Sequence, residues 1–390
     1  MIHELTLQNF KGIESAKLAM ERLTVIVGPN ASGKTSVLQS LDVLMGCAHP
    51  STRRGDLMKT HGGPPGLRKR GSEAEPTSIQ ASGHWRGEPG HVELYLMPTE
   101  PAQNGSRGFR PEVRGRWGGM RFDVPPPTSP IQSSAPLDLL GLPPVLDDWN
   151  ARALLRLEGR KLAEASYTES LEPRVESDGT GLASVLAQMA LNRPDTFTEL
   201  LEALRNVIPQ VKRVRLSLAE VKRQEVETLR IDEDAIARTI HRTYSGHRLL
   251  FDLNGAANIS SQGASEGTLL VLGLLTVLFS NPRPKLILLD DLDRGLHPKA
   301  QKDLVAQLRK LQEQDPELQI IATSHSPYLV DHLDPKEVRL STVLPDGGIR
   351  FAELTQHPEF ERWKEVMRPG EFWSTVGEGW VADVQEKKEG

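Results

Sequence analysis

Residues Gly28-Pro29-Asn30-Ala31-Ser32-Gly33-Lys34-Thr35 constrain this chain more than any other stretch. They satisfy the phosphate-binding loop pattern G-x-x-x-x-G-K-S/T at every fixed position. The apolar run Leu23–Val27 before them reads as a buried strand, and Thr35 to Leu44 after them reads as a helix. Strand, tight glycine turn and helix in that order predict an α/β fold, because the loop works only when a helix N-terminus follows a strand closely. Gly28 and Gly33 let the backbone turn its N–H groups onto phosphate oxygens. Asn30, Ala31, Ser32, Gly33, Lys34, Thr35 and Ser36 are the candidate contacts. Lys34 can reach the β and γ phosphates, and the Thr35 hydroxyl can ligate Mg²⁺. The pattern implies a nucleoside triphosphate, ATP being the expected one, held with Mg²⁺.

A chain of 390 residues predicts two or three domains. Its 38% hydrophobic and 25% charged content suits a soluble globular protein. The single cysteine, Cys47, excludes an intrachain disulfide and points to a reducing, cytoplasmic setting. Met1–Glu4 lacks the basic and apolar regions of a secretory leader, and the longest apolar run, Leu269–Phe279, is too short to span a bilayer. No membrane partner is expected. A net charge of −5 argues against a nucleic-acid-coated protein but leaves a local basic face open.

Composition divides the chain into 1–97, an αβ segment; 98–146, a Pro/Gly-rich insertion; 147–245, a mostly helical lobe; 246–350, a second αβ segment; and 351–390, a tryptophan-rich tail. Residues 49–66 read as loop, and Ser78–Trp85 with His91–Met97 as antiparallel strands. Leu182, Val185, Leu186 and Met189 share one helix face, as do Phe197, Leu200, Leu201 and Leu204. Thr196 and Glu199 carry a capping-box signature. Val211–Leu218 alternates, with Val214, Leu216 and Leu218 on one face and Arg213 and Arg215 on the other.

Three further stretches carry chemistry. Lys285–Asp291 is an apolar run ending in two acids, as expected of a central parallel strand whose carboxyl end faces a ligand. Asp290 is thus a candidate Mg²⁺ holder, and Asp291 a candidate base for the attacking water. Gln319–Ser324 reads as a third strand, with His325 at the same sheet edge, placed to contact a γ-phosphate. Ser260–Thr268 is a small-residue loop leading into an apolar helix. It can be an anion site or simply a helix capped by Ser265.

Together these stretches resemble ABC-type ATPase heads of the RecF-like and OLD-like branch, the AAA-15 and AAA-21 ATPases. Leu7–Ile13, Asp293–Pro298 and Thr323–Pro327 add to the likeness. It is close over 1–48 and 250–345 and loose between them. The resemblance implies an α/β P-loop NTPase with a mostly parallel sheet, an antiparallel β subdomain and an inserted helical lobe. It makes Gly28–Thr35 the Walker A loop, Asp290 the Walker B aspartate and Asp291 the occupant of the catalytic glutamate position. Asp293–His297 becomes the D-loop and His325 the switch histidine. Ser265 and Gly267 would complete a partner's ATP site, so a homodimer or higher homo-oligomer is implied. Lys34, Asp291, His325 and Ser265 are the implied catalytic set, and Phe10 and Lys11 would lie near the nucleotide. Gln80 is a candidate Q-loop glutamine.

Asp291 is one methylene shorter than the usual glutamate, which points to slow turnover or a long-lived ATP-bound dimer. Relatives of this look often carry a TOPRIM-type nuclease, and too few residues follow His325 to build one. The resemblance therefore implies a standalone ATPase of the kind found in bacterial anti-phage systems, gating DNA or a separate effector protein such as a nuclease. Two alternatives stand beside it: a nucleotide-switched sensor or scaffold, and a RecF-like repair or recombination mediator. Duplex DNA is a candidate partner if Arg53, Arg54, Arg68, Lys69 and Arg70 converge with Lys212, Arg213, Arg215, Lys222 and Arg223. The tail, with Trp363, Trp373 and Trp380, serves either a partner or its own core.

Overall fold

The helix after the glycine loop spans Lys34–Ala48 and is buried on almost every side. An apolar helix of that kind needs a layer on each face. Two six-stranded sheets supply them. The computed structural model describes residues 1–50, 52–72, 74–100, 108–124, 142–150, 152–231 and 234–384. Their strands are β1 (Ile2–Phe10), β2 (Ile13–Ala19), β3 (Leu23–Val27), β4 (Thr77–Trp85), β5 (Glu88–Pro98), β6 (Phe109–Trp117), β7 (Met120–Val124), β8 (Arg152–Leu155), β9 (Val211–Ile231), β10 (Asp234–Leu253), β11 (Ala256–Ser260), β12 (Leu286–Leu289), β13 (Gln319–Ser324), β14 (Val338–Val343) and β15 (Ile349–Glu353).

One sheet has the order β15-β14-β3-β13-β12-β8. β12, β13, β3 and β14 run parallel, and β15 returns antiparallel to β14. β3, β12 and β13 are buried at every residue, which is why they read as unbroken apolar runs. The parallel strands bring Gly28, Asp290 and His325 to one carboxyl edge. The other sheet, β2-β1-β4-β5-β6-β7, is antiparallel. The chain is an α/β P-loop fold with a mixed, mainly parallel sheet and an antiparallel β subdomain.

Chain contacts divide the molecule into two units. The first comprises Met1–Leu154, Pro284–Asp293 and Leu308–Gly390; the second comprises Leu155–Arg283 and Arg294–Gln307. In the second, helices Leu182–Asn192, Pro194–Val207 and Glu266–Leu278 pack on one another beside the sheet β11-β10-β9. Among the described residues no helix is long and apolar enough to cross a membrane.

Several local expectations change. Residues 49–66, read as loop, hold two short helices, Arg54–Thr60 and Gly63–Leu67. The Pro/Gly-rich stretch 98–146 contributes β6 and β7, joined at Gly118 and Gly119, whose φ values of +52° and +87° suit a tight hairpin turn. Its residues 101–107 and 125–141 lie outside the described ones. The stretch 147–245, expected to be mostly helical, is strand over Val211–Ile231 and again from Asp234, because β9 and β10 pair antiparallel along their length. Of the face shared by Val214, Leu216 and Leu218, Val214 is buried and Leu218 is 71% exposed. The helix containing Thr196 begins earlier, at Pro194, and has no side-chain cap. Proline at the first helical position is favoured because its missing N–H is not needed there.

Candidate functional site

The loop between β3 and helix Lys34–Ala48 is shaped by backbone that only particular residues tolerate. Gly28 has φ +146°, and a Cβ there would lie 2.3 Å from the Ser341 carbonyl oxygen. Gly33 has φ +84° and caps the helix with no side-chain bond. The helix N–H groups are thus presented toward the loop. Ser32 is buried, bonded to the Pro29 carbonyl at 2.8 Å and to the Ser341 hydroxyl at 2.5 Å. Pro29, Asn30 and Ala31 form the exposed rim, with Thr35 and Ser36 half-buried on the first turn.

Lys34 is 6% exposed, and its ammonium donates to the carbonyls of Gly28 at 2.9 Å and Pro29 at 2.7 Å. Burial pulls its pKa below the ordinary lysine value, against the opposing pull of Asp291, Asp290, Glu378 and Asp293. A poorly hydrated ammonium binds phosphate strongly, with the surrounding carboxylates opposing that binding until Mg²⁺ or another cation offsets their charge.

The two acids at the end of β12 meet this loop. Thr35 Oγ1 donates to the Asp290 carboxylate, at 3.0 and 3.1 Å from its two oxygens. Thr323 Oγ1 donates to Asp290 Oδ1 at 2.8 Å and accepts the Asp291 N–H at 2.9 Å. The Leu292 N–H bonds the Thr323 carbonyl at 2.9 Å. Asp291 itself is exposed and adopts φ +58°, a left-handed conformation unusual for a residue with a side chain. Backbone held in this way is a feature of functional sites. His325 is exposed at the same edge, and its N–H donates to Asp293 Oδ1 at 3.1 Å.

Oxygen donors suit Mg²⁺. Among the described residues no cluster of three His, Cys, Asp or Glu side chains stands ready for a metal ion. Thr35 and Asp290 offer a hydroxyl and a carboxylate side by side. That set fits an ion that keeps several waters and takes its other ligands from phosphate.

Other candidates fall elsewhere. Phe10 is fully buried in the apolar core, and its backbone is paired with Ile13 and Arg68. Lys11, at φ +54° in the β1–β2 turn, donates to Gln39 on the loop helix. Gln80 lies mid-strand in the antiparallel sheet, opposite Thr6 and Glu93. Ser265 and Gly267 belong to the second unit. Ser265 caps helix Glu266–Leu278, accepting the Thr268 N–H at 3.3 Å. Gly267 packs so closely on Gly295 that a Cβ would lie 2.3 Å from its carbonyl oxygen, and Arg294 bonds Glu266 at 2.6 Å. The segment Glu266–Gly267 is therefore joined to Arg294–Gly295.

Two of the basic candidates are withdrawn from the surface and two are ion-paired. Arg54 is buried, donating to the carbonyls of Cys47 and Val124, and Arg68 is buried against the Phe109 ring. Lys69 pairs with Glu14, and Arg215 with Asp252. Thr323 and Ser341 are positioning groups that the motifs do not single out. Thr323 was within reach, since it sits two residues before His325; Ser341 carries no local signal.

With this geometry in place, comparison with known proteins is specific. Residues 1–61 match the family model of the AAA ATPase domain. Residues 168–331 match the model described as AAA domain, putative AbiEii toxin, Type IV TA system, which reaches well into the stretch the sequence likened only loosely. A 53-residue segment is 42% identical to the OLD nuclease of Thermus scotoductus, covering 14% of this chain and 10% of that protein. The chain thus spans about a tenth of the length of that curated relative. The fold is similar to an SMC head crystallised with the C-winged helix domain of ScpA: TM-score 0.52, 14% identity, covering 92% of this chain and 99% of that one. An SMC head domain from Thermotoga maritima aligns at TM-score 0.44 with 13% identity, covering 90% of this chain and 98% of that one. The two family matches, the OLD nuclease segment and the fold likeness support an ABC-like ATPase of the OLD/RecF-like type.

Proposed function

We propose that the chain is a Mg²⁺-dependent ATPase whose heads pair around ATP and gate a separate effector, a nuclease being the favoured class. The observation that carries the nucleotide reading is the Thr35–Asp290 contact, which joins two motifs 255 residues apart in the sequence. Lys34 and the loop N–H groups bind the phosphates. Mg²⁺, held by Thr35 and Asp290, would neutralise phosphate charge. Asp291 accepts a proton from the attacking water as that oxygen bonds to the γ-phosphorus and the bond to the β–γ bridging oxygen breaks, releasing ADP and phosphate. His325, clamped through its backbone by Asp293, reads the γ-phosphate. Ser265 closes the site of a second chain. Support for an effector comes from the relatives: one is a nuclease by name, and one matched family carries the description "putative AbiEii toxin, Type IV TA system". An anti-phage role rests on the same analogy.

A second reading is favoured by one residue. Asp291 is a methylene shorter than glutamate, and a misplacement of about 1 Å can cost on the order of a hundredfold in rate. Under that reading the chain binds ATP, hydrolyses it slowly and acts as a nucleotide-switched scaffold. Mg²⁺-dependent turnover by the purified chain decides between them. Turnover abolished by Asp291→Asn supports the enzyme. Tight ATP binding with negligible turnover in both supports the switch. Absence of ATP binding sinks both.

A further inference from the structure

Helix Pro369–Val376 begins without a cap of its own, since Arg368 at its N-cap makes no side-chain hydrogen bond. Its first free N–H groups are taken by a residue far from it in sequence. Asp331 Oδ1 accepts the N–H of Gly370 at 2.9 Å and that of Glu371 at 3.1 Å. One carboxylate thus satisfies two orphan donors and sets negative charge at the positive end of the helix dipole. Phe372 and Trp373 of this helix are buried, and His357 meets the Phe372 ring edge-on at 5.1 Å. At these residues the tryptophan-rich tail packs on its own chain.

Asp331 also ends the one-turn helix Pro327–Val330, which starts two residues after His325. Its N–H bonds the Pro327 carbonyl at 2.9 Å. That carbonyl oxygen faces Gly370, where a Cβ would lie 1.9 Å away. The two helices meet backbone to backbone, and only glycine leaves the room. A helix of one turn has no stability of its own, so its place is set by what it packs on. Leu329 and Val330 are fully buried, and the Gly370–Asp331 junction supplies a second hold. On the other flank the His325 N–H is bonded to Asp293 and the Ser326 N–H to Ser324 Oγ at 3.0 Å. The His325 imidazole is exposed and, among the described residues, makes no hydrogen bond or ion pair. Backbone alone therefore places that ring.

We infer that Gly370 and Asp331 are positioning residues for His325: helix Pro369–Val376 is the seat that holds helix Pro327–Val330, and through it the ring, at the distance where a γ-phosphate is met. The inference rests on the reading of His325 as the γ-phosphate contact. A methyl at residue 370 has to push the Pro327 backbone off by about 1 Å, a displacement that costs on the order of a hundredfold where alignment matters. Loss of the Asp331 carboxylate frees two N–H groups and releases the seat more gently. Lys34, Thr35 and Asp290 are held by bonds of their own, to the loop carbonyls and to one another, so neither change reaches them directly. The junction therefore acts on the recognition of the third phosphate and not on the binding of the first two.

The test measures ATP and ADP affinity in Mg²⁺ for the full-length chain and for Gly370→Ala, Asp331→Ala and Asp331→Asn, each with His325 intact and with His325→Ala, using circular dichroism to confirm folding. Only ATP carries the γ-phosphate, so the ratio of the two affinities reads the His325 contact. Gly370→Ala and Asp331→Ala should lower the preference for ATP about three- to tenfold and leave ADP affinity at the native value. Asp331→Asn keeps the accepting oxygen and should restore most of the preference. With His325→Ala already in place, neither change should lower it further. A merely structural junction would weaken both nucleotides alike, or add its full effect to that of His325→Ala, and either result overturns the inference. So does an unchanged preference in folded Asp331→Ala, the variant that decides the matter if Gly370→Ala does not fold. If His325→Ala alone leaves the preference unchanged, the reading of His325 falls and this inference with it, while ATP binding stands. A native chain that binds no ATP removes the site itself.

Discussion

Two helices in this molecule begin the same way and end up doing different things. Lys34–Ala48 and Glu266–Leu278 each follow a loop of small residues, and each is buried over most of its length. The first has Gly33 at its N-cap and no side-chain cap, while the second has its first turn closed by Ser265. Ser265 also bonds the Thr268 hydroxyl at 2.8 Å. An N-terminus left open is prepared for a ligand; one closed by its own serine is complete without one. On the proposed reading the first helix holds phosphate in its own chain, and the second can serve another chain's phosphate only by exchanging its cap.

The largest way to break that contrast is Lys34→Ala. It removes the ammonium beside the open N-terminus, and ATP affinity should fall by about a hundredfold or more. Calorimetric titration with circular dichroism as a folding check measures it. Retained affinity would mean that the open helix end, not the lysine, supplies the binding energy.

Next comes Asp291, the strained residue at the open site. Asp291→Asn should keep ATP binding and lose about a hundredfold or more of whatever turnover exists. Asp291→Gly should be equally inactive yet more stable by about 1 kcal/mol, because glycine adopts φ +58° without penalty. If both variants lose stability, the left-handed turn is held for packing and not for chemistry.

Ser265 tests the closed helix. Ser265→Ala should cost about 1 kcal/mol as a lost cap. Ser265→Asp should keep the cap and the melting temperature but repel phosphate. Turnover should then return when Ser265→Asp chains are mixed with Lys34→Ala chains, since each pair forms one intact composite site. A mixture as inactive as its parents removes the case for action in trans.

How much of this could be read from the sequence follows from which residues signal their burial. Gly28–Thr35, Leu286–Asp291 and Gln319–His325 are legible because strands covered on both faces must be apolar and because the chemistry sits where they end. The hairpin of β9 and β10 is not, because charged residues such as Lys222, Arg223, His241 and Arg242 stand exposed along it and break any apolar pattern. Pairing alone makes it a strand. Arg54 and Arg68 misled because a guanidinium that donates to carbonyls or stacks on Phe109 looks, in sequence, like any surface cation. β6 and β7 carried a usable signal, Gly118-Gly119 between β-formers, which the surrounding prolines masked.

The smallest effect separates the helices by how they are anchored. Helix Lys34–Ala48 is tied down by Asp42, bonded to His61 Nε2 at 2.9 Å and Arg152 Nε at 2.7 Å. In helix Glu266–Leu278 the buried hydroxyl of Thr276 bonds the helix's own Leu272 carbonyl at 2.7 Å. Burial pushes the Asp42 pKa upward, but the His61 hydrogen bond and the Arg152 charge outweigh it, and the net shift is downward. A carboxyl lowered on folding gives stability that is present above its ordinary value of 3.8 and is lost as pH falls through the lower folded value. At neutral pH nothing distinguishes the two helices on this account. Below about pH 4 the amides of 34–48 should lose exchange protection before those of 266–278. Asp42→Asn should flatten the acid dependence of the first helix and leave the second untouched. If both helices lose protection together in the native chain, the ion cluster does not anchor the loop helix, and its hold on the phosphate loop comes from apolar packing alone.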